Sequence, residues 1–185
     1  MFFCKVNERT ELRLLERGQS GELFRLLDSN RDYLRQWHPW VDALRTEGNV
    51  ERVVEAWQRQ FVEGRGLFAG VWFEGRLCGM VNYLSVDRAN GWGVLSYWLD
   101  KADQGKGIMT ACVRALVTHG FEAWKLHRVT VECATENTRS RAIPERLGFR
   151  LEGIVREVER LQDRFVDHAI YGLLATEDPP ARDGG

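Results

Sequence analysis

The spacing of apolar positions divides the chain into elements before any chemistry is considered. Glu11 to Leu15 reads as a short opening strand. From Ser20 the residues Leu23, Leu26, Leu27, Tyr33, Leu34 and Trp37 recur at helical spacing, with a turn around Asp28, Ser29 and Asn30. A second helix is predicted from about Val50, with Val53, Val54, Trp57 and Phe61 on one face and Gly64 and Gly66 closing it. The period then changes. Leu67 to Phe73 and Leu77 to Leu84 read as a hairpin across Glu74-Gly75, and Gly93 to Leu99 as a further strand. Met109, Cys112, Val113, Leu116, Val117, Phe121 and Trp124 form one apolar stripe on a helix. Val129, Val131 and Cys133 alternate as the next strand. A short helix after Asn137 ends at Leu147-Gly148-Phe149, and Phe149 to Leu161 pairs with Arg164 to Leu174 across Gln162-Asp163. This order predicts an α/β (α+β) domain with a mixed, mostly antiparallel sheet and a β-α-β-α-β-β finish, not a doubly wound one.

Composition narrows the class. At 185 residues, 44% hydrophobic and 29% charged, the chain suits one compact domain, predicted over residues 1–175, with 176–185 as a flexible tail. A domain of this size buries roughly 70% of its unfolded surface. Apolar content is too high for a disordered protein. With 26 Lys and Arg against 27 Asp and Glu and a net charge of -1, no bulk-charge nucleic-acid binder is expected. No apolar run reaches the ~20 residues that cross a bilayer, and the first residues turn charged too early for a secretory signal. Cys4, Cys78, Cys112 and Cys133 lie far apart without zinc spacing, so no metal site is expected. They read as reduced, mostly buried thiols of a cytoplasmic protein.

The stretch from Tyr97 to Thr110 carries the chemistry. A strand runs into a loop containing Gly105 and Gly107, and the loop opens a helix. The first amides of a helix lack intrahelical partners, its dipole favours negative charge, and glycines let a phosphate approach the backbone. The expectation is an anion site, most naturally for a pyrophosphate. The string GxxxxGK[ST] of phosphate-binding NTPases is absent, and the third glycine of a dinucleotide GxGxxG is missing at Thr110. A plain glycine turn before a buried helix is the remaining structural alternative.

The same segment resembles the Q/R-x-x-G-x-G/A acyl-CoA loop of the GCN5-related N-acetyltransferase (GNAT) superfamily, with Gln104, Gly107 and Met109 in the motif positions. Met109 departs from the usual Gly or Ala. About thirty residues on, Asn137-Thr138-Arg139-Ser140 and Leu147-Gly148-Phe149 resemble the N-x-x-S…LGF signature of its ribosomal-protein (RimJ/RimL-like) branch. Asn30 to Trp37 and the two closing strands fit that branch, so the resemblance spans roughly residues 10 to 175.

The resemblance implies the GNAT fold, with a sheet of about seven strands flanked by helices, and acetyl-CoA as cofactor. It places the pyrophosphate on the amides of Gly105, Lys106, Gly107, Ile108, Met109 and Thr110, with Gln104 shaping the mouth. The pantetheine arm lies along Trp98 and Leu99 on a strand that splays from its neighbour, with Asn137 as a further contact or a plain N-cap. Backbone amides of the splayed strand can serve the developing oxyanion. The tyrosine that many members use to protonate the departing thiolate is replaced here by Pro144, and Ser140 takes that role in this branch. Pro144 cannot bond the carbonyl of Ser140, so a kink or widened turn is expected there, with that carbonyl left to water or ligand. Glu159 matches the glutamate that the branch uses as base through a water, with a solvated strand residue as its plain alternative. His168 is the other titratable candidate.

Trp37, Pro39 and Trp40 read either as walls of the acceptor pocket or as ordinary packing, and Cys133 as a buried small hydrophobe rather than an acyl carrier. The function implied is transfer of an acetyl group to a primary amine, foremost the N-terminal α-amine of a ribosomal protein, by a homodimer. Two alternatives stand beside it: the same fold acting on a small-molecule amine, and a non-catalytic acyl-CoA sensor. An acidic pocket would favour a polyamine.

Overall fold

The computed structural model describes residues 2–177. The sheet has eight strands in the order β1-β2-β3-β4-β5-β6-β8-β7, one more than expected. The addition is β1 (Phe3–Lys5), which pairs antiparallel with β2 (Thr10–Leu14) at the sheet edge. At three residues, β1 is too short to announce itself by alternation.

Next come α1 (Ser20–Ser29), α2 (Arg31–Leu34) and α3 (Glu47–Val62). The expected turn falls at Asn30, where buried Nδ2 donates to the carbonyl of Leu26 at 3.1 Å. Helix α3 starts three residues before Val50, because Thr46 and Asn49 form a reciprocal capping box. Strands β3 (Leu67–Phe73), β4 (Arg76–Asp87) and β5 (Trp92–Leu99) form the antiparallel centre. They are followed by α4 (Ile108–Glu122), β6 (Arg128–Ala134), α5 (Thr138–Arg146), β7 (Arg150–Leu161) and β8 (Arg164–Leu174). The β-α-β-α-β-β finish is as predicted. Among the described residues only β5 and β6 run parallel.

Helices cover both faces of the central strands. Leu23 and Leu27 of α1 and Val50 and Val54 of α3 pack with Phe68, Met80 and Trp98. Cys112, Val113 and Leu116 of α4 pack with Val81, Leu95 and Tyr97 on the other face. Every residue of β3 is therefore buried, which explains its continuous apolar run. Alternation along β5 sends Tyr97 and Trp98 into opposite layers.

Within the predicted tail, Glu177 is tied down. Its carboxylate accepts from the amide of Leu174 at 2.9 Å and pairs with Arg150 at 3.0 Å. The rest, 178–185, lies outside the described residues.

Candidate active site

Strands β5 and β6 are in register from Trp92↔Arg128 to Leu95↔Val131 and then part. Beyond that point β5 stays paired with β4 as far as Leu99, and β6 with β8 as far as Ala134. The separation opens a wedge in mid-sheet and turns strand backbone toward a cleft of about 1310 Å³. Tyr33, Trp37 and His38 wall it on the α2 side. The corner after α2 is fixed by buried Arg31, whose guanidinium donates to the carbonyls of Val41 at 2.5 Å and Leu44 at 2.8 Å.

The loop from β5 to α4 is braced from below. Buried Asp103 accepts from Lys106 Nζ at 2.7 Å and from Arg76 at 2.5 Å. Burial alone would raise its pKa, but the two cations hold it below the usual carboxylate range. Asn30 Oδ1 accepts from the amide of Lys101 at 3.0 Å, tying the loop to the first helices. Gly105 and Gly107 take φ of 78° and 74°, left-handed values that favour glycine. Gly107 caps α4 without any side-chain hydrogen bond. Its carbonyl accepts from Ala111 at 3.1 Å, so the amides of Ile108, Met109 and Thr110 precede the first intrahelical bond and face the cleft. An anion fits there, and a Cβ on either glycine would meet nothing within 4 Å, which leaves room above the loop.

Trp98, Leu99, Gln104, Gly105, Gly107, Ile108, Met109, Thr110, Asn137 and Ser140 all reach the cleft wall. Lys106 does not. Its ammonium turns to Asp103 and lies 5.6 Å from the Phe73 ring centroid. The Met109 side chain is accommodated in the core, where only 6% of the residue is exposed. Gln104 spans the mouth, donating to the Tyr33 hydroxyl and accepting from Arg139 at 2.6 Å. The wall carries Lys5, Lys101, Arg114, Arg139 and Arg146 and, among the described residues, no carboxylate.

Around Ser140 one expectation fails. Helix α5 is unbroken from Thr138 to Arg146 with Pro144 inside it, so there is no kink. The carbonyl that Pro144 cannot serve accepts from the Tyr97 hydroxyl at 2.9 Å. Asn137 is the N-cap, its Oδ1 accepting from the Ser140 amide at 3.2 Å. The helix is clamped to β8 by Tyr171, which accepts from Arg141 Nε at 2.9 Å and donates to Glu145 at 2.6 Å.

Glu159 is absent from the cleft wall and pairs with His168 Nε2 at 2.9 Å. The pair forms because β7 bulges between Val155 and Glu159. Glu157 there adopts φ 50° and its amide donates to Asp167 at 2.8 Å. Trp37 links this hairpin to the cleft by packing on Ala134, Leu161 and Val166. Pro39 and Trp40 do not wall it, and Trp40 is exposed. Cys133 is buried, and burial pushes its thiol up to about 11, as suits an inert small hydrophobe.

Tyr97, His38 and the Arg139/Arg146 pair are wall residues that the sequence reading passed over. Tyr97 was within reach by alternation, because it sits next to Trp98 in a strand expected to splay. The two arginines lie inside the N-x-x-S…LGF segment itself.

Residues 9–150 match the family model described as an acetyltransferase (GNAT) domain. The chain is 36% identical over 178 residues to the Bacillus subtilis (strain 168) protein YdaF, whose name proposes a ribosomal N-acetyltransferase, covering 96% of this chain and 97% of that one. It is 27% identical over 170 residues to the ribosomal-protein-serine acetyltransferase of Escherichia coli (strain K12), covering 92% and 95%. Among solved structures, RimL, a ribosomal L7/L12 α-N-protein acetyltransferase in complex with coenzyme A, superposes with a TM-score of 0.91 at 24% identity over 94% and 98% of the two chains, a likeness of fold.

Proposed function

Because the chain belongs to the GNAT acetyltransferase family, we propose that it transfers an acetyl group from acetyl-CoA to the N-terminal α-amine of a ribosomal protein. The observation that carries this reading is that the wedge between β5 and β6 and the N-terminus of α4, whose cap makes no side-chain hydrogen bond, open into one basic-walled cleft. Such a cleft suits a cofactor with a pyrophosphate at one end and an extended amide-bearing arm at the other.

Acetyl-CoA supplies the activated thioester. The amides from Gly105 to Thr110 would receive the pyrophosphate, including that of Lys106, whose side chain keeps the loop in shape through Asp103. Trp98 faces β4 with its backbone, paired with Met80, whereas Leu99, beyond the last β6 pairing, turns its own hydrogen-bonding groups to the split and can offer them to the pantetheine arm and the developing oxyanion. Asn137 caps α5 and lines the cleft, so the cap leaves it within reach of the pantetheine it would contact. Ser140 would donate its hydroxyl hydrogen bond to the departing sulfur. An ammonium cannot attack until it loses a proton, and Glu159, held by His168, would accept that proton through a water.

The acceptor side favours a protein N-terminus over a polycation, since the described residues of the cleft wall are basic and include no carboxylate to meet one. We place the enzyme in the cytoplasm as a homodimer. Strand β7 is an open edge carrying exposed Leu151, Ile154, Val155 and Val158, and a second copy would cover them. The test is mass spectrometry of acetyl transfer to ribosomal-protein N-terminal peptides beside spermine and aminoglycosides. Peptide acetylation at the α-amine is expected; turnover of the small amines alone would overturn the acceptor assignment.

A further inference from the structure

Pro144 removes one amide from α5, and the wall across the cleft replaces it. The Tyr97 hydroxyl donates its single proton to the Ser140 carbonyl at 2.9 Å, while its oxygen lies 3.4 Å from Ser140 Oγ. With that proton committed, the phenol oxygen is an acceptor only, and at 3.4 Å it lies beyond an ordinary hydroxyl–hydroxyl bond, so the Ser140 hydrogen is left for another acceptor. The ring is buried among the core residues under α4, 8% exposed, so the hydroxyl is a fixed point rather than a mobile one. Burial raises the Tyr97 pKa, and the phenol stays protonated through any working pH. Both Tyr97 and Ser140 reach the cleft.

We propose that Tyr97 is a positioning residue for the transfer, pinning the turn that bears Ser140 so that the serine hydroxyl points its hydrogen at the sulfur leaving the acetyl group. This rests on the acetyl-CoA reading above. In the step the amine N–C bond forms and the thioester C–S bond breaks with its electron pair going to sulfur. The ammonium's first proton has already left by way of Glu159; the second, released as the N–C bond forms, ends on that thiolate. Tyr97 keeps its own proton throughout, in line with its burial. A helix tyrosine at position 144 would approach the sulfur from α5; this chain sets a tyrosine on β5 behind a serine instead.

The experiment separates positioning from mere satisfaction of a buried carbonyl. Tyr97→Phe keeps the ring and removes the hydroxyl. Expected are a KM for acetyl-CoA within about twofold of wild type and a kcat lower by roughly tenfold or more. Pro144→Ala restores an amide able to bond the Ser140 carbonyl inside α5. The double variant Tyr97→Phe/Pro144→Ala should therefore regain the melting temperature but not the kcat. Recovery of kcat in the double variant, or an unchanged kcat in Tyr97→Phe, would overturn the inference, and the double variant reads the result if the single one folds poorly. Wild-type turnover of N-terminal peptides is the control; if no amine is acetylated, the acetyltransferase reading itself fails and the inference falls with it.

Discussion

His38 shows how a single side chain ties the cleft wall to stability. It sits beside the cleft with its ring centroid 5.9 Å from that of Trp40, and burial pushes its pKa down to about 4. The folded protein holds it neutral, whereas the unfolded chain protonates it near its ordinary value of about 6.5. Between those values the unfolded state binds more protons, so stability is full above about pH 6.5 and is lost as pH falls toward 4. The slope is at most about 1.4 kcal/mol per pH unit, and less where solvent reaches the ring. Chemical denaturation across this window should show the loss, and His38→Gln should remove this contribution to the slope. At the same scale, Gly107→Ala forces an L side chain into φ 74° and should cost about 1–2 kcal/mol. Because the Cβ meets no neighbour, any larger loss of acetyl-CoA affinity in that variant reports the backbone's closeness to the pyrophosphate. Calorimetric titration of the variant measures it.

Elements were legible where periodicity was long and illegible where a single tertiary contact decides. The stripe from Met109 to Phe121 located α4, and alternation at Val129, Val131 and Cys133 located β6. Three-residue β1 was lost for want of length. The kink expected in α5 followed correctly from the missing Pro144 amide but named the wrong consequence, because the compensating donor, Tyr97, lies 43 residues away. The bulge that turns Glu159 to His168 had no signal either, since it depends on Asp167 catching the Glu157 amide across the hairpin. Most predicted cofactor residues did reach the cleft, because the loop motif and its helix are local in sequence. Helix α5 should be sensitive at its clamp. Tyr171→Phe loses both the bond to Arg141 and the bond to Glu145 in a residue only 1% exposed. A fall in stability of about 1–3 kcal/mol is expected, read as a lowered melting temperature.

At the scale of the whole molecule, two layers of helices enclose a sheet whose centre splits, and the split is where we propose the site. The open flank at β7 carries the assembly expectation. Val158→Glu, with a residue that is 53% exposed in the single chain, should leave the fold intact and reduce the mass measured by light scattering from dimer to monomer. An unchanged dimer would move the interface elsewhere. We propose that the wedge, the glycine loop and the N-terminus of α4 together form an acyl-CoA site. A thermal-shift series with acetyl-CoA, CoA, NAD and ATP tests it most directly. A ligand at a hundred times its dissociation constant adds about 2.7 kcal/mol of stability. A raised melting temperature with both CoA forms, and none with NAD or ATP, is the result predicted; a shift with NAD and none with CoA would contradict the account.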